Sequence, residues 1–336
     1  MARCGRMASP FPKKLRAQQA QSERSPHPND CPCMNKLRLA LILCSTTLAS
    51  LAQDSESTLK VDVKLVNVFV TVTDAHGGPI AGLAKDNFRL KEDGKEQRIA
   101  VFSRESELPL SIVLAIDTSL STKKDLPLEQ AAAHKFAHTI VRPQDGLAVY
   151  KFSEEVTQVV PFTSDLGRID AGIDHMHNGS ATALFDVVFL GAEALSTRQG
   201  RKVIVAVTDG GDTISQVNYK QALRAAEESE AIIYSVIIVP IEASAGRDTG
   251  GEHALIQFSE DTGGKYYYAS SLAQLDEAFR KISDELRMQY LLAYYPSQHY
   301  SESEFRRIQV DLANPPPGGP YQARYRAGYY TTKDSF

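Results

Sequence analysis

Cysteine is missing from everything after residue 44. The 336-residue chain has four, Cys4, Cys31, Cys33 and Cys44, and if the leader described below is removed the mature chain holds no disulfide and must be stabilised by packing. Cys31-Pro32-Cys33 has no second pair at zinc-site spacing, so a zinc ribbon is excluded. No glycine-rich nucleotide loop and no internal repeat is present. His134 and His138 are spaced i, i+4 on a helical pattern but lack the Glu of an HExxH motif, which leaves them as a partly exposed helix face rather than a zinc site. The apolar runs are also short: the longest candidate, centred on Leu39–Leu43, falls well below the roughly 20 residues a membrane-spanning helix needs.

What is present suits a globular protein. Hydrophobic residues make up 43% and charged residues 23%, enough for a sizeable core and a second small domain. Of the 37 basic and 41 acidic residues, eight basic and two acidic fall in the first 52, leaving 29 and 39 and a net charge of −10 for the remainder. Such a surface disfavours nucleic acid and anionic membranes.

Met34–Gln53 has Lys36 and Arg38 ahead of an apolar centre, with small residues at Ser50 and Ala52. That is the build of a secretory signal peptide over 34–52, cleaved after Ala52, and it implies a secreted or periplasmic protein with no stable transmembrane helix in the mature chain. Leu43 stands where a lipoprotein would want a small residue before Cys44. Residues 1–33, rich in Pro, Ser, Lys and Arg, read as a misassigned extension or a disordered tail.

Three regions follow. From 58 to 106 the pattern alternates, with Val61, Val63, Leu65, Val68, Val70 and Val72 on one run and Glu92-Asp93-Gly94-Lys95 as a hairpin signal. From 108 to 288 apolar strands alternate with amphipathic helices, which predicts a doubly wound, mostly parallel sheet with helices on both faces. Gly146–Ser153 and Val156–Phe162 form a hairpin that supplies one antiparallel edge strand. Alternation returns from 289 to 330, in Gln289–Tyr295, Phe305–Leu312 and Tyr321–Tyr329. Since isolated small sheets are marginal, the N- and C-terminal strands are expected to fold together as one small β-sandwich with the α/β domain inserted between them.

The chemistry gathers at strand ends. Ser111–Ser121, SIVLAIDTSLS, is a buried-strand pattern that stops at Asp117, Ser119 and Ser121; Lys202–Gly210, KVIVAVTDG, ends in Thr208, Asp209 and Gly210; between them a Gly-containing loop, Asn178–Ala183, carries Thr182 into a helical pattern from Thr182 to Leu195. In open α/β sheets ligands bind beyond the carboxyl ends of the strands. Mg²⁺ demands near-octahedral oxygen coordination and is commonly held through one or two carboxylates. Ser119, Ser121 and Thr182 offer neutral hydroxyls, and Asp117 and Asp209 offer charge.

Asp-x-Ser-x-Ser, a loop Thr and a later Thr-Asp-Gly together resemble the von Willebrand factor A (VWA) domain and its metal-ion-dependent adhesion site. The resemblance covers about half the chain. It implies a six-stranded VWA sheet over 108–288, in which the first and fourth strands flank the switch point and Asp117 and Asp209 sit side by side. It also implies Mg²⁺, with Mn²⁺ as the alternative, bound by Asp117, Ser119, Ser121, Thr182 and Asp209, the aspartates acting largely through water. The under-neutralised ion would accept an Asp or Glu of a protein partner. In integrin-type A domains the last helix shifts on ligand binding, so Leu272–Met288 is the expected link from site to sandwich. The order of parts loosely resembles secreted VWA proteins of Acidobacteria. Expectation is therefore an adhesion-type binding protein and no enzyme. Two alternatives stay open: a structural or assembly subunit of an envelope complex, and a metal-assisted hydrolase. An aspartyl phosphatase is disfavoured because Ser119 stands where a second Asp would be needed. His175 and His177 precede the Thr182 loop as candidate rim residues, and the tyrosine runs are expected to pack cores and sheet edges.

Overall fold

A computed structural model describes residues 65–104, 108–120, 126–239, 249–297 and 304–331. The expected extension, the signal peptide, the first residues of the N-terminal strand run and Ser121 lie outside these.

The N-terminal strands are β1 (Val66–Thr73), β2 (Phe88–Glu92), β3 (Lys95–Gln97) and β4 (Ile99–Ser103). Asp93 and Gly94, both at positive φ (45° and 78°), make the tight β2–β3 turn, as the Asp-Gly pair predicts. The central domain then runs β5 (Leu110–Asp117), α1 (Leu126–Ile140), β6 (Gly146–Phe152), β7 (Val156–Thr163), α2 (Leu166–Asp174), α3 (Leu184–Ser196), β8 (Arg201–Thr208), α4 (Tyr219–Ser229), β9 (Ala231–Ile238), α5 (Thr249–Thr262), β10 (Tyr266–Ala269) and α6 (Leu272–Arg287). Last come β11 (Tyr290–Tyr294), β12 (Phe305–Leu312), β13 (Gln322–Arg324) and β14 (Gly328–Tyr330).

The central sheet has the order β10-β9-β8-β5-β6-β7. All neighbours are parallel except β7, which folds back on β6 as an antiparallel edge. Every residue of β5 and β9 is buried, which is why these strands read as unbroken apolar runs: helices cover both faces. Alternate side chains of β5 divide between two cores. Ile112, Leu114 and Ile116 pack with α1, α2 and α6, whereas Val113 and Ala115 pack with α3, α4 and α5. The helices on the first face show the expected stripe, with Phe136 of α1 stacked on Phe279 of α6 at 4.7 Å. Because β6 and β8 flank β5 and are reached over opposite faces, the switch point lies between β5 and β8.

N- and C-terminal strands build one sandwich. β1 lies between β11 and β13 in the sheet β13-β1-β11-β4, and β12 lies between β2 and β14 in the sheet β14-β12-β2-β3. Val68, Val70, Leu90, Leu292, Tyr294 and Ile308 share its core. One expected strand, Tyr321–Tyr329, is two: β13 pairs with β1, β14 pairs with β12, and Tyr325–Ala327 cross between the sheets. The crossing is held by Ala327 N–H to Asp261 O at 2.9 Å and by Arg326 to Asn67 O at 2.7 Å. Among the described residues no helix is long and apolar enough to cross a membrane.

Candidate functional site

β5 and β8 run side by side in register, Ile116 opposite Val207, so their next residues, Asp117 and Thr208, emerge together at the carboxyl edge of the sheet. Both are fully buried. The Thr208 hydroxyl donates to Asp117 Oδ2 at 2.6 Å, and the Ser119 N–H donates to Asp117 Oδ1 at 2.8 Å. Gly210 N–H in turn donates to Thr208 Oγ1 at 3.1 Å, in a turn where φ is 108° and glycine is required. Burial pushes the Asp117 carboxyl up to about 6, against the pull of the Thr208 and Ser119 hydrogen bonds and helped by the charge of Asp209. A carboxylate desolvated in this way gains from any cation placed against it.

Ser119 is buried, and Asp209, immediately after β8, is half-buried. Thr182 comes from a third segment. The helical pattern expected from Thr182 starts at Leu184 instead, with Ala183 as its cap, so Thr182 belongs to the loop; its carbonyl accepts Thr213 N–H at 2.8 Å rather than an intrahelical bond. Backbone bonds stitch that loop to the first segment and to the β6–β7 turn: Gly179 N–H to Thr118 O at 2.7 Å, Thr118 N–H to Phe152 O at 2.9 Å and Ala183 N–H to Ser153 O at 2.8 Å. On its other flank Thr182 N–H donates to Thr213 Oγ1 at 2.9 Å.

The loop after β8 is tied to α3 by side chains. Ser215 Oγ accepts Phe185 N–H at 3.0 Å and Asp186 N–H at 3.1 Å, and donates to Asp212 at 2.5 Å. Asp186 accepts Gln216 N–H and Val217 N–H, at 2.9 and 3.0 Å. The Ser215 bonds satisfy two of α3's orphan N–H groups, those of Phe185 and Asp186, and together the ties fix the loop that carries Asp209 against the loop that carries Thr182.

Asp117, Ser119, Thr182 and Asp209 therefore stand on three segments joined by short hydrogen bonds. Among the described residues no group of three or more His, Cys, Asp or Glu is gathered to hold a metal. The donor set here is two carboxylates and hydroxyls, which suits a hard cation that keeps some water and not a softer ion wanting His or Cys. Among the described residues the Thr182 hydroxyl, in a buried residue, makes no hydrogen bond, so its oxygen is not committed elsewhere.

Thr208, Thr213, Asp212, Ser215 and Glu154 are the supporting residues; the sequence named Thr208 only as part of Thr-Asp-Gly, without a role, and did not mark the other four. Thr208 had a signal, since it sits between the strand and Asp209. The others occupy turns where Ser, Thr, Asp and Glu are ordinary. Leu120 and Ile214, 58% and 51% exposed, flank the site on its first and third loops. His134 and His138 are not a bare face: they meet Asp170 and Asp174 of α2.

No curated protein matches this sequence. Solved structures with a similar arrangement include a von Willebrand factor type A protein from Catenulispora acidiphila, 12% identical, covering 80% of this chain and 75% of its own with a TM-score of 0.47. An aerotolerance-related membrane protein from Bacteroides fragilis is 19% identical and covers 53% of this chain and 98% of its own, TM-score 0.43. BatB from Bacteroides thetaiotaomicron is 18% identical and covers 52% and 98%, TM-score 0.42. Residues 112–211, the stretch that contains Asp117, Ser119, Thr182 and Asp209, match the family model of the von Willebrand factor type A domain, and this part of the chain is a VWA domain.

Proposed function

We propose that the chain is a metal-dependent protein-binding VWA protein acting outside the cytoplasm, in which Asp117, Ser119, Ser121, Thr182 and Asp209 hold Mg²⁺, or alternatively Mn²⁺. When bound, the ion supplies a positive charge the site does not fully neutralise, able to accept an Asp or Glu carboxylate from a protein partner. The observation that carries this reading is the buried Asp117 carboxylate, oriented by Thr208 and Ser119 at the switch point beside Asp209. Asp117 has both oxygens aimed by hydrogen bonds, Ser119 and Thr182 bring neutral oxygens, and Asp209 brings a second charge without full burial. The extracellular location rests on the leader-like stretch 34–52, and the role is binding rather than catalysis.

Calorimetric titration with MgCl₂ and MnCl₂ and capture of envelope proteins with and without chelator test it together. Asp209→Ala is the cleaner variant, since Asp117→Ala also strips an acceptor from Thr208 and Ser119. Both are expected to lose measurable cation uptake and chelator-sensitive capture. Wild-type protein that takes up neither cation, or captures the same partner in chelator, rejects the proposal. Turnover in an esterase or phosphatase screen would favour the hydrolase alternative.

A further inference from the structure

The loop of residues 177–183 reaches the site as an arm pressed onto the turn between β6 and β7. A Cβ on Gly179 would fall 2.1 Å from Ser153 Oγ and 2.3 Å from Glu154 Oε2, so the loop backbone approaches that turn as closely as only glycine permits. Three bonds hold the arm on this flank. Two are backbone to backbone, Gly179 to Thr118 and Ala183 to Ser153, and no side-chain change removes them. The third is Ser180 N–H to Glu154 Oε2 at 2.7 Å, a bond that a charged side chain supplies.

We propose that Glu154 is a positioning residue for the cation site: its carboxylate holds the Ser180 amide, and through it the arm that presents the Thr182 hydroxyl. The inference rests on the reading of the site as a cation socket. Glu154 is exposed, so its burial contributes nothing to the core, and its effect falls on the arm. The Ser180 N–H, first among the hydrogen bonds to it, draws the Glu154 carboxyl down to about 2, as expected for an anion preferred by its donors. A charge-assisted bond is about twice as strong as a neutral one. Partners bonded directly to metal ligands typically change metal affinity by about 10–100-fold when removed; Glu154 acts one step further out, on the backbone two residues before Thr182, so the low end of that range applies.

The test uses the full chain as wild type, Glu154→Ala and Glu154→Gln. Three quantities are measured: the urea midpoint, hydrogen exchange at the 178–183 amides, and affinity for Mg²⁺ and Mn²⁺. Expected in Glu154→Ala are an unchanged urea midpoint, faster exchange at Ser180 and cation affinity lower by roughly tenfold. Glu154→Gln, which keeps an acceptor but no charge, should fall between, and it stands in if the alanine variant does not fold. Wild-type affinity together with wild-type exchange in either variant overturns the proposal. If the wild type binds no cation, the socket reading falls on its own, and Ser180 exchange still decides whether Glu154 holds the arm.

Discussion

At the residue scale, the site depends on places where a side chain is refused as much as on those where one is supplied. Gly251, in the first turn of α5, faces Gly210 so closely that an added Cβ would lie 1.2 Å from the Gly210 carbonyl oxygen and 3.0 Å from Gly211 Cα. Both neighbours are backbone, so neither can swing aside. Gly251→Ala must therefore push α5 away from the turn that follows Asp209, and overpacking of this kind costs about 1–3 kcal/mol. Urea denaturation should show that loss, and cation affinity should drop with it because Asp209 rides on the displaced turn. Retention of both wild-type values would show that the turn is softer than its contacts indicate.

At the element scale, α2 is fastened to α1 by histidine. His134 Nδ1 lies 2.7 Å from Asp170 and its Nε2 lies 2.9 Å from Asp174, while His138 Nε2 lies 2.9 Å from Asp170. A ring with both nitrogens against carboxylates can satisfy them only as imidazolium. Burial alone would lower the His134 pKa, but the bonds and charges of Asp170 and Asp174 outweigh it and the net shift is upward from 6.5. The stability it adds is complete below the unfolded value of 6.5 and is lost as pH rises through the higher folded value. Denaturation at pH 5.5 and 8.5 should therefore show His134→Gln costing on the order of 1 kcal/mol at the lower pH and much less at the higher. An equal cost at both would mean the ring packs there as a neutral group. The i, i+4 spacing of the histidines was legible in the sequence, but their acidic partners 32 to 40 residues away were not, because sequence spacing reports faces and not which faces meet. The same limit governs the rest. β5, β8 and β9 could be read as buried strands because both their faces are apolar, and the strand-end donors could be read because strand ends face the ligand crevice. Glu154 and the Asp212–Ser215 ties sit in turns whose composition is common to all turns, and the break at Tyr325–Ala327 depends on which sheet each half joins.

At the scale of the whole molecule, the site and the sandwich occupy opposite edges of the central sheet. Asp117 and Asp209 follow β5 and β8, whereas the residues that meet the sandwich precede strands of that same sheet. Glu230, just before β9, lies 3.6 Å from Arg326, and Gly263, ahead of β10, accepts from Arg324 at 3.4 Å. The last helix joins this junction, since α6 passes into β11 after two residues and its buried Glu285 is ion-paired with Arg324 of β13. Tyr267 donates to the same carboxylate at 2.9 Å, and Lys265 lies 3.8 Å from it. A buried pair adds little over an apolar one of the same volume, but removing one partner strands the other charge. Arg324→Ala should therefore destabilise by about 3 kcal/mol, the lower end of that range because Lys265 remains. Glu285→Gln combined with Arg324→Met should recover most of the loss. Equilibrium unfolding followed by both tyrosine fluorescence and circular dichroism measures it: coincident transitions in the wild type that separate in Arg324→Ala would place this ion pair at the coupling of sandwich to VWA domain, and coincident, unshifted transitions in both would remove it from that role.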